Sequence, residues 1–279
     1  MSTTRRKALL LGLAFAATTS TITQPALAQS ATQALSQESV IETIKQDGVI
    51  RIGLSIFTPW SMRDKNGELI GFELDVGRAL AEDMGVEVEF VPTSWDGIIP
   101  QLVSGNFDVI ISGMSITPER NLTVNFSDPY AFSGLTILAN KQMTEGFSDA
   151  DYNSADVIFA ARRGGTAPVV IAQLFPEAQL LLFDEEAASV QEVLNGNAHA
   201  TMFAEPAPSI EARRYPDKLH VPFDKPFLAT GEGFALRKGD PDALNFFNNW
   251  IAVRTASGWF KERNDYWFKG VEWQSQVAD

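Results

Sequence analysis

The chain has 279 residues, 45% of them hydrophobic, with 35 Asp and Glu against 22 Lys and Arg and no cysteine. The lack of cysteine excludes disulfides, thiol nucleophiles and Cys-based metal sites. A formal charge of −13 argues against a nucleic-acid partner, whose phosphates need a basic face.

Arg5, Arg6 and Lys7 precede an apolar run from Ala8 to Ala17, and Ala26-Leu27-Ala28 offers an A-x-A cleavage site. Residues 1–28 are therefore expected to be a secretory signal peptide, with an apolar core far short of the roughly 20 residues a bilayer span requires. Thr4-Arg5-Arg6-Lys7 also resembles a twin-arginine signal, so the export route stays open. With no cysteine to carry a lipid, the expected location is the periplasm, without an anchor. Residues 1–28 hold three of the Lys and Arg and none of the Asp and Glu, so the remainder is more acidic still.

Residues 29–37, rich in Gln, Ser, Thr and Ala, are expected to be a flexible leader. Glu38 to Gln46 predicts a short helix before a strand at Val49 to Leu54. In Gly71 to Met84 the residues Phe72, Val76, Ala79, Leu80 and Met84 recur at helical spacing, with Gly85 placed to cap the C-terminus. A strand at Val86 to Val91 leads to a helix expected near Trp95, where Pro100 is tolerable only close to the first turn. Asp108 to Ser112 reads as a buried strand. The pattern then recurs, with strands at Val157 to Ala161, Gln179 to Phe183 and Ala198 to Phe203 alternating with helices at Thr166 to Leu174 and Ala187 to Leu194. A strand near Gly233 to Leu236, a helix from Pro241 to Ala256 and an aromatic tail complete the chain. The fold class is α/β: two units, each a mainly parallel sheet flanked by helices, with a ligand cleft between them.

Gly71-Phe72-Glu73-Leu74-Asp75-Val76 and the following Ala79-Leu80-Ala81 resemble the signature of the family 3 extracellular solute-binding proteins. Phe57-Thr58-Pro59-Trp60, Trp95-Asp96-Gly97-Ile98-Ile99-Pro100, Gly105-Asn106-Phe107-Asp108, the run Ser112 to Arg120 and Phe126-Ser127-Asp128-Pro129-Tyr130 follow in the family's order. The resemblance implies a type II periplasmic-binding-protein fold. Lobe 1 would comprise residues 38–133 and 230–279, and lobe 2 residues 134–229. It also implies a monomer that captures an amino acid or related small carboxylate and partners the membrane permease of an ABC importer. No cofactor is expected.

A carboxylate in a partly dry cleft needs charge-assisted donors, and a guanidinium supplies two parallel ones. On spacing alone Arg120 reads more readily as a surface arginine paired with Glu119 or Asp128; the resemblance reverses that, since Arg120 stands where the family's ligand-carboxylate arginine stands. The resemblance places Ser112, Gly113 and Ser115 beside the ligand, and Thr166 as the contact from the second lobe. Arg163-Gly164-Gly165-Thr166-Ala167 is a strand, turn and helix start that can aim N–H groups at an anion, or an ordinary capped turn. Phe57 and Trp95 are candidate walls for the ligand's side chain, with core packing as the plainer role. Trp60, Glu73 and Asp75 read as structural.

One departure stands out. The family's ammonium-binding Asp falls at Ala204, so either Glu205 substitutes or the ligand lacks an α-ammonium group. An alternative is a cyclohexadienyl dehydratase-like enzyme of the same fold, whose acidic Glu would align with Ala207. With only His199 and His220, and no H-E-x-x-H, P-loop or G-x-S-x-G pattern, metal and triad catalysis are not expected.

Overall fold

The computed structural model describes residues 39–277; the predicted signal peptide and leader lie outside that range. Helix α1 (Val40–Asp47) opens on Ser39, whose side chain accepts from Ile41 N–H, and stops at Gly48 in the left-handed region. Strand β1 (Val49–Leu54) follows directly. A hairpin, β2 (Met62–Arg63) and β3 (Leu69–Ile70), leads into α2 (Phe72–Met84). That helix buries Phe72, Leu74, Val76 and Leu80 against the sheet, each large side chain contributing roughly 1.5–3 kcal/mol.

Strand β4 (Glu87–Pro92) pairs parallel to β1. Helix α3 (Ile98–Val103) begins three residues later than predicted, because Trp95 to Gly97 form a turn, and β5 (Val109–Ile110) then joins β1 in parallel. Short elements α4 (Pro118–Asn121) and β6 (Asn125–Phe126) precede β7 (Ala131–Asn140), which leaves for a second sheet. There β8 (Ile158–Arg162), α5 (Ala167–Leu174), β9 (Gln179–Phe183), α6 (Glu186–Leu194), β10 (Ala200–Ala204), α7 (Ala207–Arg214) and β11 (Leu219–His220) repeat the alternation. Strand β12 (Ala229–Glu232) returns, β13 (Ala235–Leu236) re-enters the first sheet, and α8 (Pro241–Ala256) and α9 (Trp259–Asn264) close the chain.

The first sheet runs β4-β1-β5-β13-β6 and the second β11-β7-β10-β8-β9. Each has a parallel part, β4-β1-β5 in one and β10-β8-β9 in the other, extended by antiparallel strands. The chain passes between sheets along β7 and β12, which pair antiparallel from Ala131↔Glu232 to Gly134↔Ala229. Gly134 has no room for a side chain there, since a Cβ would lie 2.5 Å from that of Pro226. Among the described residues no helix is long and apolar enough to cross a membrane.

Candidate ligand-binding cleft

A cavity of about 40 Å³ lies where the strand ends of the two sheets face each other. It is lined from one side by Phe57, Trp95, Gly113, Ser115 and Arg120, and from the other by Arg162, Thr166, Glu186 and Ala204, among others. At that size it holds a few waters. The indole N–H of Trp95 donates to Gly164 O at 3.0 Å, and Arg120 Nη2 reaches the same carbonyl at 3.3 Å. A cavity of about 240 Å³ adjoins it, sharing Phe57, Glu186 and Phe203. A groove of about 570 Å³ over Ile56, Met62, Ile210 and Trp273 holds none of the predicted site residues.

Arg120 is set by its own short helix. The Thr117 side chain accepts from Arg120 N–H at 3.2 Å, and Arg120 Nη1 donates to Ser115 O at 2.9 Å. Among the described residues its guanidinium pairs with neither Glu119 nor Asp128. Burial, aided by the charge of Arg162, pushes its pKa down to about 10, which still leaves it protonated at neutral pH. Thr166 stands at the entry to α5 without a side-chain capping bond and lines the cavity.

Arg162 ends β8 and is 8% exposed. Its Cζ sits 4.2 Å from the ring centroid of Trp95 and 5.3 Å from that of Phe57, and Phe57 is itself stacked on Trp60. Its Nε forms an ion pair with Glu186 Oε2 at 3.4 Å, in a geometry that does not make a hydrogen bond. Among the described residues Arg162 Nε and Nη1 and Glu186 Oε1 are buried without a hydrogen-bond partner. Burial pushes the Arg162 pKa down and that of Glu186 up, and their mutual attraction opposes both shifts.

Three predicted residues are placed differently. Ser112 is not in the lining: its Oγ accepts from Ser55 N–H at 2.9 Å and ties β5 to β1. Gly113 lines the cavity, but its φ of 56° turns its N–H to the Glu73 carboxyl at 2.7 Å and the Tyr130 hydroxyl at 3.1 Å. The Glu205 side chain accepts from Ser209 Oγ at 2.9 Å and lies outside the cavity lining, one residue beyond the end of β10.

The family of bacterial extracellular solute-binding proteins, family 3, matches residues 50–270. The chain belongs to that family. This family 3 solute-binding protein is 27% identical over 237 residues to the L-cystine-binding protein TcyJ of Escherichia coli K12, covering 85% of this chain and 88% of the relative. It is 26% identical over 247 residues to the cyclohexadienyl dehydratase of Pseudomonas aeruginosa, with 87% and 90% covered. Among solved structures, an ABC-transporter binding component of Wolinella succinogenes complexed with lysine superposes with a TM-score of 0.77 at 39% identity, covering 82% of this chain and 99% of that one.

Sequence reasoning missed two groups in this solute-binding protein, Arg162 and Glu186. The predicted strand stopped at Ala161 and the predicted turn began at Arg163, so the residue between them escaped notice. The available signal was its place at the C-terminal end of a parallel strand, where open α/β sheets put their ligands. Glu186 starts α6, where an acidic residue looks like an ordinary dipole partner. Trp60, Glu73 and Asp75 are structural: Trp60 is buried, Glu73 holds Gly113 and Tyr130, and Asp75 accepts from Trp267 Nε1.

Proposed function

We propose that this solute-binding protein works in the periplasm, capturing an amino acid or related small carboxylate and presenting it to the membrane permease of an ABC importer. The carrying observation is Arg120, a partly buried guanidinium held toward the cleft with no ion pair to a carboxylate among the described residues. Lobe 1, residues 38–133 and 230–279, meets the ligand first through Arg120 and Ser115. Lobe 2, residues 134–229, then closes over it with Thr166 and the backbone around Gly165. Ser112 acts behind this shell, holding β5, and Gly113 forms part of the wall while its N–H fixes the loop. Residues 1–28 direct export, the exported chain is unanchored and monomeric, and no cofactor takes part.

Isothermal titration of Arg120→Ala against the wild type's ligand tests the cleft. Removing one partner of a buried charge pair costs about 2–5 kcal/mol, so affinity should fall by roughly thirtyfold or more. Unchanged affinity would take Arg120 out of the site.

A second reading, a dehydratase-like enzyme, draws on the Pseudomonas relative and on Glu186, a cavity-lining carboxyl whose pKa is raised as a general acid requires. Against it, the position aligned with the enzyme's glutamate is Ala207, and Glu205 is engaged with Ser209. Prephenate and arogenate incubated with the purified protein should remain unchanged; product formation would replace the binding reading.

A further inference from the structure

The slot between Phe57 and Trp95, where a ligand side chain would stack, already contains a cation. Arg162 from the opposite sheet fills it, 4.2 Å from one ring centroid and 5.3 Å from the other. A basic ligand would have to displace that guanidinium from both rings and then sit beside its charge. A ligand with an acceptor at its far end meets the opposite situation, because Arg162 Nε and Nη1 are buried and unbonded among the described residues. Glu186 answers the charge of Arg162 as an ion pair at 3.4 Å but not its hydrogen-bonding demand, and its other oxygen is itself without a hydrogen bond. The cavity wall therefore carries two guanidinium groups, Arg120 and Arg162, and one carboxyl group.

We infer that Arg162 sets the specificity of this cleft, and that the ligand carries two carboxylate groups, one held by Arg120 and the other by Arg162, while basic side chains are shut out. The inference rests on the proposed cleft and narrows its ligand to acidic amino acids or plain dicarboxylates, which share this chemistry. The two sources differ in the ammonium group, for which Ala204 offers no carboxylate.

The exported protein, unfolded and refolded to strip any bound solute, is titrated with L-aspartate, L-glutamate, the diacids from malonate to adipate, L-alanine, L-lysine and L-arginine. At least one two-carboxylate probe should bind at least about tenfold more tightly than alanine, lysine or arginine, the difference expected of one charged hydrogen-bonded contact. Comparing glutamate with glutarate separates the two sources. Arg162→Leu should lose at least about tenfold in affinity for that probe and relatively gain for lysine or arginine. Arg162→Lys, which keeps the charge and loses the fork, should fall between, and guards against a Leu variant that folds poorly. Tighter binding of a basic or neutral amino acid, response to none of the probes, or diacid affinity unchanged in both variants overturns the inference. The Arg120→Ala variant separates the two levels. If it abolishes binding of a probe that proves to be lysine or arginine, the cleft stands and only the specificity falls; if it is silent, the cleft itself falls.

Discussion

Glu73 shows how far one residue can depart from its local context. Its position in the first turn of α2 suits a solvent-facing carboxylate that answers the helix dipole. Instead it is fully buried, taking hydrogen bonds from Gly113 N–H and the Tyr130 hydroxyl, and burial pushes its pKa up to about 8. Glu232, also buried, is pushed up to about 7. Between the ordinary carboxylate range and these values the native protein holds protons that the unfolded chain has released. Stability therefore falls as pH rises, by up to about 1.4 kcal/mol per pH unit for each such group. Urea midpoints should decline from pH 5 to pH 8, and Glu73→Gln, which is neutral throughout, should decline less steeply; parallel slopes would contradict the assignment. Arg120 was legible because its neighbours, Ser112 to Glu119, form a contiguous pattern. Arg162 was not, because what defines it is Phe57 and Trp95, two aromatics brought over from another sheet.

Helices with caps were legible almost to the residue, as α8 illustrates from Pro241 to Ala256. Its start is stronger than its sequence suggests, since Asp240 serves two helices at once. One carboxylate oxygen accepts from Ala243 N–H at 2.9 Å and from Ser39 Oγ at 2.8 Å, and the other accepts from Val40 N–H at 2.7 Å. Asp240→Ala removes the N-cap of α8 and the tether of α1 together. A loss of about 2 kcal/mol is expected, at the upper end of single-cap effects, measurable by urea denaturation. A loss within a few tenths would mean that α1 docks without this tether. The start of α3 was misread because Pro100 tolerates any of the first helical positions. The extra turn keeps Trp95 outside the helix, free to reach Gly164.

At the scale of the molecule, the doubled alternation of strands and helices was plain in the residues, whereas the crossing was expected only through the family resemblance. Strands β7 and β12 are about a hundred residues apart, and neither carries a motif that announces the other. Their four paired positions are the ladder about which the proposed lobes would swing. Adding bound solute to stripped protein should lower the radius of gyration seen by small-angle X-ray scattering; an unchanged value would speak against closure. The Trp95–Gly164 bond makes the same event visible in a cuvette. Of the six tryptophans, Trp95 alone donates across the cleft, while Trp60, Trp250, Trp267 and Trp273 are buried. Opening would hydrate the Trp95 indole and part it from the Arg162 guanidinium, shifting its emission to longer wavelength. The protein thus carries its own optical reporter, and a solute can be scored by colour change in the unlabelled chain before any binding isotherm is measured.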